Sequence, residues 1–218
     1  MHIEIGIIDP LRIVAANAAA AAVVASQVPA VLKAPAGVVK TGLAAVGFSI
    51  LMQAWHLPVG PSELHLIGAT TVYLLFGFAP TMVGFALGLL MQALLFEPAD
   101  MAHLGVNALS LMVPLAIVHY TFGARLFTGA AGDRFSLGKV LRIDALYYGG
   151  VGMMVAFWLG ISNPGFALSA WALWALAYLP VVGVEILLTF ATVMALRRRA
   201  AQGSLVAAVT EIPRLRFA

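Results

Sequence analysis

Cysteine is absent from the 218 residues. That excludes disulfides, thiolate metal sites and thiol nucleophiles. Charge is scarce: Asp, Glu, Lys and Arg make up 10% of the chain, where a soluble domain carries about 25%. Between Leu64 and Phe96 there is none of the four. Two catalytic signatures are also missing. There is no Gly-x-x-x-x-Gly-Lys phosphate loop and no His-Glu-x-x-His helix, so neither nucleotide hydrolysis nor zinc proteolysis is expected of this chain. The apolar segments hold few polar residues, which argues against a stand-alone metal carrier or channel with a continuous polar path.

What is there is apolar. Hydrophobic residues are 62% of the total, more than a water-soluble core of this size could hide, so the chain reads as an all-α polytopic membrane protein. Breakers divide it into about seven transmembrane segments: roughly 10–32, 41–55, two short ones within 64–96 that turn near Gly77 and Pro80, 104–126, 140–160 and 166–196. Numbering the loops alternately with the N-terminus outside puts eleven of the twelve basic residues inside: Lys33, Lys40, Arg125, Arg134, Lys139, Arg142, Arg197, Arg198, Arg199, Arg214 and Arg216. Only Arg12 falls outside. This asymmetry predicts an outer N-terminus and a cytoplasmic C-terminus. A single transmembrane domain over 1–199 and a short cytoplasmic tail over 200–218 follow, the tail lying on the inner surface or disordered. The net charge of +3 belongs to this membrane asymmetry and does not point to nucleic acid.

The opening "MHIEIGIIDP" lacks a basic region and carries Glu4 and Asp9, so it is expected to be mature sequence rather than a signal peptide, with Met1 retained and its amine free. A free amine, the His2 amide nitrogen and the His2 imidazole close a five- and a six-membered ring on one metal ion. Three nitrogens then lie in a plane. That set favours Ni(II), Cu(II) or low-spin Co(II) over tetrahedral Zn(II), and protons compete with it. A fourth nitrogen would come from another histidine. His56, His65 and His103 all fall at outer segment ends on this topology, and only His119 lies toward the inner half. Clustered histidines suggest an outward-facing metal site, but polar residues also simply cap helices at the interface.

Three blocks carry a family likeness. In the first, Met1, His2, Ile3, Gly6 and Pro10 match. In "LPVGPSELHLIGA", His65, Leu66 and Gly68 match. In "MQALLFEPADMAHLGVNALSLMV", residues 92–96 match, with Leu104, Gly105 and Asn107. Over residues 1–115 the chain resembles the cobalt/nickel substrate-binding components of energy-coupling-factor transporters, the CbiM/NikM type. In one place it departs: two residues separate Ser62 from His65 where the family pattern has one.

The resemblance implies a seven-helix fold with the N-terminal segment inserted into the substrate pocket. It implies Ni(II) or Co(II) held by Met1, His2 and the loop histidine, here His65. No catalytic residue and no resident cofactor are implied, the metal being the transported ligand. The implied partners are a transmembrane coupling subunit and two cytoplasmic ATPase subunits, with or without a small accessory membrane subunit, in the inner (cytoplasmic) membrane. A same-fold component with a different ligand is the alternative, and His2 at the terminus argues against it.

Supporting roles are open. Glu63 orients His65 through its other ring nitrogen or is a solvated loop charge. Asn107 contacts the N-terminal segment or caps a helix. His103 and His56, the latter beside Trp55, are fallback ligands or interfacial residues. Gln53 and Gln92 are expected to make interhelical hydrogen bonds. Asp144 is expected to pair with Arg142. Glu185, deep in the last segment where charge is expensive, is protonated, paired across helices or in contact with a partner. Ala18 and Ala22 allow close helix approach, inside the chain or at a partner.

Overall fold

The structure, a computed structural model, describes residues 6–34, 36–60, 62–128, 133–162, 165 and 167–217. Helix α1 (Pro10–Lys33) starts where Asp9 accepts the Arg12 amide at 3.2 Å and Pro10 takes the first helical position, a cap that fits both residues' preferences. A short turn returns the chain as α2 (Gly37–Ala54). A two-stranded antiparallel hairpin follows, β1 (His56–Val59) and β2 (Ser62–His65). Then come α3 (Ala69–Phe76), α4 (Phe78–Leu95) and α5 (Leu104–Val118), which runs through a π-helical turn (His119–Gly123) into α6 (Arg125–Thr128). The chain continues with α7 (Leu137–Ser162), α8 (Leu168–Ala201) and the short α9 (Leu205–Val209).

Among the described residues, six helices are long and apolar enough to cross a membrane. The seventh expected crossing is made differently. At about 1.5 Å per residue α3 is roughly 12 Å long, under half the hydrocarbon thickness. The chain therefore passes through the bundle as a strand, a bend and a half-length helix. Every residue of α3 is buried, packed among α2, α4, α7 and α8. That burial is what permits non-helical backbone ahead of it. Gly77, at φ 82°, separates α3 from α4, at the turn expected from the sequence.

Polar side chains join the helices. Ser49 on α2 donates to the Gly88 carbonyl at 3.0 Å, and Gln92 donates to the Ser49 carbonyl at 3.4 Å, so Gln92 is an interhelical donor as expected. Gln53 is exposed. On α1 the buried pair is Ala16 and Ala20, while Ala18 and Ala22 are exposed, so close packing uses the stripe two residues earlier than expected. Asp144 does not pair with Arg142. Residues two apart on a helix point to nearly opposite sides. Asp144 is buried and accepts the Thr70 hydroxyl, while the Arg142 guanidinium lies over the Phe122 ring at 4.7 Å.

The tail is built in. Ile212 and Leu215 are buried. The Glu211 amide donates to the Leu75 carbonyl at 2.6 Å, and the Phe135 amide donates to the Arg216 carbonyl at 2.6 Å. Lys40 Nζ donates to Glu211 at 2.6 Å, with side-chain exposures of 9% and 13%, and Arg214 supports Glu211 at 3.0 Å. Replacing Lys40 by Met is expected to destabilise the fold by about 1–3 kcal/mol. That is below the roughly 3–5 kcal/mol of a fully buried pair losing one partner, because Arg214 remains. Thermal unfolding in detergent, and protease sensitivity rising first within 202–217, check it.

Candidate metal site

The site is organised by the hairpin. Its register sets His56 opposite His65, Leu57 opposite Leu64, Pro58 opposite Glu63 and Val59 opposite Ser62. Side chains alternate along a strand, so Glu63 and His65 share one face with His56. Ser62 and Leu64, both 1% exposed, are buried on the other. The two imidazoles stack with centroids 5.7 Å apart, within the reach of directly opposed strand residues. His65 is 4% exposed and His56 is exposed.

The ring nitrogens of His65 have different neighbours. Nδ1 lies 3.4 Å from the Met52 carbonyl, and Nε2 lies 3.0 Å from a Glu63 carboxylate oxygen. Both neighbours only accept, so the ring donates to the one that faces its protonated nitrogen, and to both only as imidazolium. Nε2 is paired with Glu63 and could bind a metal only when deprotonated and released from that carboxylate.

The loop behind the imidazole is pinned residue by residue. Tyr178 donates its hydroxyl to the His65 carbonyl at 3.0 Å. The Leu66 amide donates to the Trp55 carbonyl at 3.2 Å. The Ile67 and Gly68 amides both donate to the Glu185 carboxylate, the second at 2.7 Å. Gly68 sits at φ 65°, a left-handed conformation that strains any other common residue, and a Cβ there would lie 2.1 Å from Leu51.

A second acidic segment joins from the α4–α5 connection. The Glu97 carboxyl is held above the ordinary carboxylate range by its burial, by the hydrogen bond and charge of Asp100 and by the charge of Glu63, with His56 pulling the other way. Glu63, Glu97 and Asp100 therefore share one rim, whose negative potential concentrates cations.

Of the expected residues, the structure brings His65, Glu63 and His56 together. His103 is 1% exposed, so it is a buried residue and not an interfacial one. It is also the residue that precedes α5. Asn107 is therefore not the cap. It lies one turn inside α5, its amide donating to the His103 carbonyl at 3.0 Å, and its buried Oδ1 has no partner among the described residues. Met1 and His2 lie outside the described residues. Sequence reasoning missed Tyr178, Glu97, and the Met52 and Trp55 carbonyls. The alternation in "SELH" was the available signal for the shared face of Glu63 and His65.

The crystal structure of a transition metal transporter, 23% identical, superposes with a TM-score of 0.73 over 92% of this chain and 94% of its own, which shows the same fold. A relative from Haemophilus influenzae, named "Putative metal transport protein", is 32% identical over 127 residues, 58% of this chain, and the match covers 60% of that relative's length. The model of a family described as "CbiM: Cobalt uptake substrate-specific transmembrane region" matches residues 2–202. With that match over nearly its whole length, the chain belongs to the CbiM family and is a multi-pass membrane protein.

Proposed function

We propose that this chain captures Ni(II) or Co(II) for an energy-coupling-factor importer of the cytoplasmic membrane. The observation that carries the reading is the imidazole of His65. It is buried, with Nδ1 toward the Met52 carbonyl and Nε2 paired with Glu63, so a metal would reach Nε2 by displacing that carboxylate. The Met1 amine and the His2 amide and imidazole supply the other three nitrogens of a planar set. Glu63 orients His65 in the empty state, and the rim of Glu63, Glu97 and Asp100 draws cations toward it. His56, stacked on His65, walls the site, and His103 and Asn107 support it from the start of α5.

The hairpin end of the bundle faces outward, because Lys33, Lys40 and the Arg197–Arg199 run all belong to the opposite end. The tail over 200–218 is then cytoplasmic, packed beneath the transmembrane domain. The sequence holds no phosphate loop, so the energy comes from partners: a membrane coupling subunit with two ATPases, joined or not by a small accessory membrane subunit.

The test is metal titration of the purified chain. Wild type is expected to bind Ni(II) and Co(II) tightly and Zn(II) weakly. His65→Ala is expected to lose more than the roughly 10–100-fold that removing a mere supporting partner costs. Unchanged Ni(II) and Co(II) affinity in His65→Ala would reject the site.

A further inference from the structure

Glu185 stands in the interior of α8, fully buried. No ion pair to it is found among the described residues. A carboxylate in such a place needs strong compensation. Here it comes from the backbone: one oxygen accepts the Ile67 amide and the other accepts the Gly68 amide. Successive amides that converge on one anion form a natural cradle, and the left-handed Gly68 turns the chain from it into α3. Tyr178 lies seven residues earlier, hence on the same face of α8, and its hydroxyl holds the His65 carbonyl. Thr189, one turn beyond Glu185, meets the Thr71 hydroxyl at 2.7 Å. The same face of α8 thus runs alongside the loop and then alongside α3.

Neither contact touches the imidazole. Both fix the backbone from which it projects. We propose that Glu185, assisted by Tyr178, is a positioning residue for metal capture: from α8 it holds residues 65–68 so that His65 presents Nε2 at the place the other nitrogens require. This rests on the assignment of His65 as a ligand. It also gives a reason for Glu at 185. Glutamine keeps the length but offers one oxygen and a donor NH2, so one of the two amides would face a donor. Aspartate is one methylene short of both.

The experiment uses the full chain with its natural N-terminus, titrated with Ni(II) and Co(II). It records the dissociation constant, the ligand-field absorption of the loaded protein, and the unfolding temperature of the metal-free form. Glu185→Gln is expected to weaken binding by roughly 10–100-fold, the range for a partner that orients a ligand, with a shifted ligand-field band. Tyr178→Phe is expected to move both readouts in the same direction by less. Thr189→Val loosens α8 from α3 without touching the loop and is expected to keep wild-type affinity and absorption.

Wild-type affinity and absorption in Glu185→Gln, while His65→Ala loses binding, overturns the proposal. So does a loss in Thr189→Val as large as that in Glu185→Gln. If Glu185→Gln does not fold, Tyr178→Phe decides, and wild-type behaviour there overturns it. Wild-type binding in His65→Ala overturns the ligand assignment itself and is read separately from failure at Glu185.

Discussion

A chain that starts three residues earlier, with Met1 in peptide linkage, is expected to lose tight Ni(II) and Co(II) binding. The amine anchors the five-membered ring, and the amide that closes it also closes the six-membered ring to the imidazole. Without the amine the planar set falls from four nitrogens toward two. Tight protein metal sites with four donors release about 10–16 kcal/mol. Losing half of such a set costs on the order of 5 kcal/mol, or 10³-fold and more in affinity. The length of the extension matters. A single added residue would move the imidazole to third position, where the new amine, two amides and the imidazole make four nitrogens by themselves. Such a chain is expected to keep binding Ni(II) but to become indifferent to His65→Ala. Isothermal titration of the natural and the singly extended chain, each with and without His65→Ala, distinguishes a terminal chelate completed by His65 from any other site. Affinity should also fall as pH drops from about 8 to about 6, because the amine, amide and imidazole must all shed protons to bind.

The elements were legible where hydrophobic length and breakers decide them. The Gly77 turn and the six long helices before and after it follow from local chemistry. The third crossing was legible as a short one ending near Gly77, but not as a strand and bend leading into a half-helix, because an apolar run without charge does not mark where its helix begins. Within "HLPVGPSELH" the prolines and glycine announced an interruption, and only the alternation of Ser62, Glu63, Leu64 and His65 hinted at a strand. The partners of Glu185 were invisible for a different reason. They are backbone amides 117 and 118 residues away, and a main-chain donor leaves no mark in a sequence. Asp144 shows the opposite error: a nearby arginine suggested an ion pair, but helix geometry turned the two apart and gave Asp144 to Thr70.

Gly105→Ala is expected to damage both stability and metal binding. A Cβ at Gly105 would stand 2.4 Å from the Asn17 Cα and 2.5 Å from its amide nitrogen. The obstacle is the backbone of α1, which cannot swing aside as a side-chain tip can, so α1 must separate from α5. Asn17 is the bond between them. Its Oδ1 accepts the Gly105 amide at 2.6 Å, and its Nδ2 donates to the Ala102 carbonyl at 3.0 Å. Overpacking a close contact costs about 1–3 kcal/mol and sometimes more, and stretching these two hydrogen bonds adds roughly 1 kcal/mol each. The expected loss is therefore about 3–5 kcal/mol, read as a fall in unfolding temperature. Metal affinity falls with it for a reason of geometry. His2 precedes Pro10 by eight residues, so the position of α1 sets where the terminal nitrogens reach, and α5 is what holds α1. Asn17→Ala removes the two hydrogen bonds without the clash and should show a smaller loss of both. A Gly105→Ala chain that unfolds early yet binds Ni(II) as wild type would show that the metal site tolerates displacement of α1.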